Sequence, residues 1–340
     1  MSGNATYRLS NTSVLSVCAV EAPVVATSAS FDERLSETFA RTGMSPGMLE
    51  QLAGVRERRW WPEDVSIADA AAMAGAKALA EAGIDPSQIG ILINTSVSRE
   101  NLEPSVAVAV HHQLGLSTSC LNFDITNACL GFVNGIQLAG TMIDAGQVDY
   151  ALLVDAESVR GLHEATLARL SSPGATAAEV KAQFASLTIG SGSAAMVLGR
   201  TDRHPEGHRV LGGASRAGTE HHELCVGDLN LMSTNSRALF EAGIALAIET
   251  WQDAKDEFDW AEADYFMCHQ TSTKHIATMA EAVGARPEQF PMTVETYGNL
   301  GPAAVPFTFA QNVDRLQPDM RVILLGIGSG LNTSYAEILW

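Results

Sequence analysis

Hydrophobic and polar positions along the chain alternate between two periods. SIADAAAMAGAKALAEAGIDPSQIG has alanine-rich helical spacing that predicts a helix ending at Gly83, and Asp85-Pro86 then turns the chain into the apolar strand ILINTSVS. The same grammar recurs in FVNGIQLAGTMIDAGQVDYALLVDAES, a helix stopping at Gly146 followed by the strand YALLVDAE, and later in WAEADYFMCHQTS and DMRVILLGIGSG. Helices alternating with short β-rich runs predict an α/β fold whose sheets are covered on both faces. Asn94 to Asp155 and His269 to Gly326 span nearly equal lengths, which suggests two similar halves, residues 1–186 and 187–340. Residues 160–186 read either as an insertion over a site or as a surface helical hairpin.

Composition narrows the function classes. The chain has 340 residues, is 46% hydrophobic and 18% charged, and contains no low-complexity tract, which describes a globular protein with a sizeable core. A formal charge of −18 opposes sequence-independent binding to nucleic acid, which relies on clustered cations. No secretory leader pattern stands at the start, and no stretch approaches about 20 uninterrupted apolar residues, so a cytoplasmic protein with no membrane span is expected. Five widely spaced cysteines without a CxxC pair indicate neither a disulfide framework nor a zinc site. The pairs His111-His112 and His221-His222 lack a third ligand, and adjacent side chains diverge, so no metal is expected.

Three polar positions stand where ligands meet α/β sheets. Cys129, in DITNACLGFVNG, precedes an apolar helical stretch, and a helix N-terminus with a nearby histidine can lower a thiol pKa. Inert packing is the alternative, because cysteine is among the most buried residue types. His269 stands where the apolar run YFMC becomes the polar HQTSTKH, at the mouth of a buried strand. Asn299 lies in the glycine- and proline-punctuated loop ETYGNLGPAAVP, where it is also readable as a plain turn residue. GIGSGLN, residues 326–332, lets backbone N–H groups come close to a ligand but lacks the Lys-Ser/Thr of a phosphate-binding loop.

Taken in chain order, Cys129 in NACLGF, His269 in HQ, Asn299 in GN and the C-terminal GIGSG resemble the thiolase-fold ketosynthases of the 3-oxoacyl-ACP synthase III type. AGVRERRWW at 53–61 and LTIGSGSAAMVL at 187–198 support this likeness. Within that superfamily ILINTSVSRENLEPS, NFDITNACLGF and LLGIGSGLN are most similar to the OleA family, the acyl-CoA condensing enzymes of bacterial olefin biosynthesis. The resemblance implies a five-layered αβαβα fold of two pseudo-duplicated halves, the first carrying the nucleophilic cysteine and the second the histidine, the asparagine and the glycine loop. It implies that Cys129 takes an acyl group from a thioester, and that His269 and Asn299 hold the thioester oxygen of the second substrate. The N–H groups of Cys129 and of Gly330, with Ser329 beside it, would form the oxyanion hole.

Glu103 sets the expected subtype. Two simple acyl-CoAs require a base to remove a weakly acidic α-proton, and LEPS at 102–105 matches the family pattern in which this glutamate enters the partner subunit's site. The expected activity is therefore non-decarboxylative Claisen condensation of two long-chain acyl-CoAs to a 2-alkyl-3-oxoacyl product, a β-keto acid, by a homodimer that feeds further olefin-pathway enzymes. A decarboxylative synthase III using malonyl-ACP is the enzyme alternative, and a catalytically silent acyl-binding subunit is the non-enzyme one. No cofactor is expected, coenzyme A entering as substrate thioester. Arg56, Arg58 and Trp60 are candidates for the CoA phosphates and adenine, with surface ion pairing as their alternative. The loop at 190–192 reads Gly-Ser-Gly, so roles that some relatives give to a cysteine or acid there have no bearer.

Overall fold

The computed structural model describes residues 6–340. Ten strands form one continuous mixed sheet: β1 (Thr6–Arg8), β2 (Thr12–Glu21), β3 (Ile91–Asn94), β4 (Leu121–Asp124), β5 (Tyr150–Glu157), β6 (Gly192–Arg200), β7 (His208–Ala217), β8 (Tyr265–Cys268), β9 (Arg321–Gly328) and β10 (Asn332–Leu339). Their spatial order is β4-β3-β5-β6-β2-β7-β10-β9-β8, with β1 on β7. The run β3-β5-β6-β2 pairs parallel, antiparallel, antiparallel, and β8-β9-β10-β7 repeats that pattern. The two runs meet where β2 touches β7 at Ser13–Arg209 and Val14–His208. Strand β6 pairs within the first run, and the turn 201–207 leads from it to β7 of the second. The expected correspondence shifts by one residue. Thr95 N–H donates to Val154 O and His269 N–H to Leu325 O, which makes Thr95 the counterpart of His269.

Strand alternation sorts the core into layers. Leu92, Leu152, Val154 and Val197 face the helices α1 (Ile67–Ala82) and α2 (Val106–Gln113) on one outside. Ile91, Ile93, Leu153 and Met196 face inward onto α3 (Gly131–Asp144), and Met267, Val322, Leu324 and Ile338 of the second run close over the same space. Ile323, Leu325 and Tyr335 face α4 (Ser236–Phe258) and α5 (Thr273–Val283) on the other outside. A short helix, α6 (Ala304–Ala310), shares the middle layer with α3 through Val305 and Phe309. Helix α1 shows why such packing is possible. Ser66 and Asp69 close a capping box at its start, Gly83 in the left-handed region ends it, and its alanines let it lie against the sheet.

Within residues 160–186, the helices Arg160–Leu170 and Ala177–Gln183 follow one another, joined at 171–176. Leu167, Leu170 and Val180 pack on Phe31, Leu35 and Phe39, a small core of its own beside the main layers. Among the described residues no helix is long and apolar enough to cross a membrane.

Residues 188–190 fix the turn that carries Asn299. Asn299 N–H donates to Thr188 O at 2.9 Å, and Gly190 N–H donates to Asn299 O at 2.8 Å. A β-carbon on Gly190 would fall 1.8 Å from the Tyr297 carbonyl oxygen. Gly190→Ala must therefore displace this turn, and it should lose about 1–3 kcal/mol of stability, the usual cost of overpacking; an unchanged calorimetric melting midpoint would show that the turn moves freely.

Candidate active site

Face parity brings the polar groups together. Thr95 continues the inward face of Ile91 and Ile93, Asp155 and Glu157 that of Ala151 and Leu153, and His269 that of Met267. All stand at the C-terminal ends of parallel strands, where α3 enters the middle layer. Cys129 precedes that helix, which begins at Gly131 after the Leu130 N-cap. The GIGSG hairpin comes to meet it: a β-carbon on Gly328 would lie 3.0 Å from Cys129 N. Gly330 has φ +139°, a backbone state suited to glycine. Among the described residues, the N–H groups of Cys129 and Gly330 have no protein acceptor. Ser329 lies beside Gly330 in the turn.

His269 is buried, and its Nδ1 lies 3.2 Å from the Gly301 carbonyl oxygen. A carbonyl only accepts, so Nδ1 carries the hydrogen and Nε2 presents a lone pair. Burial, with His275 close by, pushes the imidazole pKa down to about 3, against the pull of the Gly301 bond. The ring is neutral. Asn299 Oδ1 accepts from Gly301 N at 2.9 Å, which leaves its Nδ2 hydrogens as the part free to reach a ligand.

Two acids on β5 were not singled out in the sequence, where YALLVDAE reads as an ordinary buried strand. Asp155 is fully buried; its Oδ2 accepts from Thr95 Oγ1, and its Oδ1 has no partner among the described residues. Burial and the neighbouring Glu157 push its pKa well above the carboxylate range. Glu157 accepts from Val97 N at 2.7 Å, Ser98 N at 3.1 Å and Ser98 Oγ. Burial pushes its pKa up to about 7 against those bonds and against Arg99. The only advance signal was two acids two residues apart on an otherwise apolar strand, which puts both on one face.

Cys129 keeps part of its surface open. Burial raises its thiol pKa well above the ordinary range, and Glu157, Cys225 and Asp155 add to the shift. The depressed pKa expected of a thiol ahead of a helix is thus not what this setting produces: desolvation and two acids outweigh the helix end. The resting sulfur is protonated.

Among the CoA candidates, Arg58 is a correction. It is fully buried, donates to Ala26 O and Leu187 O, and stacks over Phe31 at 4.6 Å. A guanidinium with carbonyl partners inside the core cannot receive a phosphate. Trp60 gives its indole N–H to His163 Nδ1 at 2.8 Å and stacks on Phe31, which ties it into the same cluster. Arg56 is exposed, with a loose contact to Glu295 at 3.9 Å. Glu103 lies on an exposed loop, and among the described residues its carboxylate has no hydrogen-bond or ion-pair partner. His111 Nε2 is tied to Ser117 O, while His221 and His222 face Glu220 and Glu223. Among the described residues no three metal-ligating side chains gather.

The folded protein holds the Asp155 proton more tightly than the unfolded chain does. Its stabilising effect is complete below the ordinary carboxylate range and is lost as pH rises through the raised pKa. Asp155→Asn should therefore melt at a higher temperature than wild type at about pH 8 and should lose less stability between about pH 5 and pH 8. Equal pH dependence of the two melting midpoints would contradict a neutral Asp155.

Residues 59–199 match the thiolase N-terminal domain, and residues 254–340 match the C-terminal domain of 3-oxoacyl-[acyl-carrier-protein] synthase III. An acyl-CoA:acyl-CoA alkyltransferase of Xanthomonas campestris is 43% identical over 97% of this chain and 99% of its own. The one from Shewanella oneidensis is 33% identical over 94% and 96%. A β-ketoacyl-[acyl-carrier-protein] synthase III of Staphylococcus saprophyticus is more distant, 25% identical over 89% and 92%. The crystal structure of a cysteine-to-serine variant of Xanthomonas campestris OleA, with lauric acid and lauroyl-CoA bound, superimposes with a TM-score of 0.96, 42% identity, and coverage of 98% of this chain and 100% of that one. Structures of the same protein substituted at one histidine and at one glutamate match equally well. With its thiolase fold and near full-length likeness to these enzymes, the chain belongs to the OleA family of acyl-CoA-condensing acyltransferases.

Proposed function

We propose that the protein joins two fatty acyl-CoAs by non-decarboxylative Claisen condensation, with Cys129 as nucleophile. The observation that carries this reading is that Gly301 holds both His269 and Asn299 and packs on Glu157, an acid close enough to Cys129 to raise its pKa, beside two N–H groups that lack acceptors among the described residues. Cys129 Sγ attacks the first thioester carbonyl, the oxyanion rests on the Cys129 and Gly330 N–H groups, and CoA leaves as the S–C bond breaks. The thiol is protonated at rest, so its proton passes through the lone pair on His269 Nε2 to the departing CoA sulfur. Asn299 Nδ2 then holds the thioester oxygen of the second acyl-CoA, and His269 joins it as donor only after taking up a proton at Nε2. A base removes the α-proton, the α-carbon attacks the acyl-cysteine, and Cys129 leaves as thiolate. Hydrolysis of the remaining thioester gives the β-keto acid.

The base we assign is Glu103 of the partner subunit. Its lack of a side-chain partner among the described residues supports this, as do exposed leucines: Leu102 beside it is 86% exposed, and Leu121 on the edge strand β4 51%. Such surface suits a second copy of the chain. The Xanthomonas enzyme has been studied as variants at one cysteine, one histidine and one glutamate, the residue types assigned here. Arg56 is the candidate kept for a CoA phosphate, with no cofactor beyond the substrate thioester. Five cysteines without a disulfide support a cytoplasmic setting, where enzymes acting on the β-keto acid would follow.

Lauroyl-CoA alone should yield the condensed C–C product by mass spectrometry, whereas a product formed only with malonyl-ACP would restore the decarboxylative reading. Cys129→Ala should bind acyl-CoA and release no CoA. Glu103→Ala should still form acyl-Cys129 but condense more than about tenfold more slowly, since a positioned base contributes about 10²–10⁴. Mixed Cys129→Ala and Glu103→Ala chains should regain activity, because one site of each heterodimer has both groups. No recovery after verified subunit exchange would rule out a base acting across the dimer.

A further inference from the structure

We propose that Glu157 is a positioning residue for two active sites, holding the His269–Asn299 frame of its own chain and the root of the loop that delivers Glu103 to the partner. This rests on the cross-subunit reading above.

The geometry runs in two directions from one carboxylate. Toward the loop, Glu157 Oε1 accepts from Val97 N, and Oε2 accepts from Ser98 N and Ser98 Oγ. Ser98 Oγ in turn accepts from Ser158 N at 3.1 Å. The chain leaving β3 is thereby stitched to the end of β5 just before it runs out to Leu102 and Glu103. Toward its own site, Glu157 packs under Gly301, where a β-carbon would touch its Cγ and Cδ at 3.5 Å and its Oε1 at 3.7 Å. Gly301 is the residue whose N–H holds Asn299 Oδ1 and whose carbonyl holds His269 Nδ1.

Charge matters to the first set of contacts. Three donors converge on two oxygens, an arrangement suited to an ionised carboxylate, which accepts on both. Glutamine has the same size but one acceptor oxygen, so its amide would face either the Val97 or the Ser98 N–H donor to donor. Aspartate keeps the charge on a shorter reach. Burial alone would explain a structural acid; it would not explain a single side chain connecting the loop root with the peptide that orients both site residues.

Three heterodimer mixtures separate these roles. The reference is Cys129→Ala with Glu103→Ala, where the one competent site draws its glutamate from the other chain. In the first test the Cys129→Ala chain also carries Glu157→Gln, which alters only the root of the incoming loop. In the second the Glu103→Ala chain carries it, which alters only the competent site itself. Both should condense lauroyl-CoA about tenfold more slowly than the reference, within the roughly hundredfold that an ångström of misplacement can cost. In the first, acyl-Cys129 should form at the reference rate by intact mass, an outcome that a general loss of structure would not give. Glu157→Asp should recover part of the activity in both, and it serves for the same comparison should Glu157→Gln chains not fold. Reference rates in both tests, or slowing confined to one, would overturn the two-site role. An inactive reference would instead reject the cross-subunit reading and take this inference with it.

Discussion

Two hydrogen bonds made by one peptide neighbour, Gly301, organise the polar half of the site. Its N–H fixes the Asn299 oxygen, and its carbonyl fixes the His269 ring. The first bond decides that Asn299 offers donors to a ligand; the second decides that His269 offers a lone pair. Gly301 has φ +56°, in the left-handed region where side chains are disfavoured, and Glu157 packs where a side chain would begin to grow. Fixed polarity of this kind lets a site act without reorganising during reaction.

The middle layer exacts a cost in solvation that shapes the chemistry. Asp155, Glu157, His269 and Cys129 all reside where water is scarce, and burial drives each toward its neutral form. With Cys129 and His269 neutral, the site differs from a thiolate–imidazolium pair. Its nucleophile gains charge only as the acyl carbon is attacked, and the N–H groups of Cys129 and Gly330 then receive that charge on oxygen. Reactivity is thereby tied to a bound thioester, while an idle thiolate is avoided.

Much of this was readable in advance, for a physical reason. Strands covered on both faces leave uninterrupted apolar runs, so YALLVDAE was bounded as it stands, and Gly83 marked the end of α1 because only glycine takes that left-handed turn cheaply. Cys129, His269 and Asn299 stood out as polar positions at the edges of apolar or glycine-punctuated stretches, and it was their order along the chain, resembling the family's, that gave them roles. Arg58 misled because a charged residue in a run of arginines reads as surface, whereas Ala26 O, Leu187 O and the Phe31 face satisfy it inside. Asp155 and Glu157 escaped notice because their importance depends on Thr95, Val97, Ser98 and Gly301, which the chain brings to them only on folding. From sequence β6 reads like the start of a new unit, whereas on folding it pairs with β2 and β5 of the first run, a partnership that no local pattern announces.

The duplicated strand order also bears on why the fold suits a two-substrate reaction. Each half ends its central parallel pair at the same level, and the two ends differ in what they carry. The first contributes Thr95 and the buried acids, the second His269 at the position corresponding to Thr95. The first half extends its parallel pair by a further strand, β4, whereas the second is extended by β1 on β7, and the β4 edge carries the exposed Leu121. The asymmetry between two otherwise matching halves thus falls in two places: in the middle layer, where acyl transfer is assigned, and at the open edge, where a second copy would bring the base.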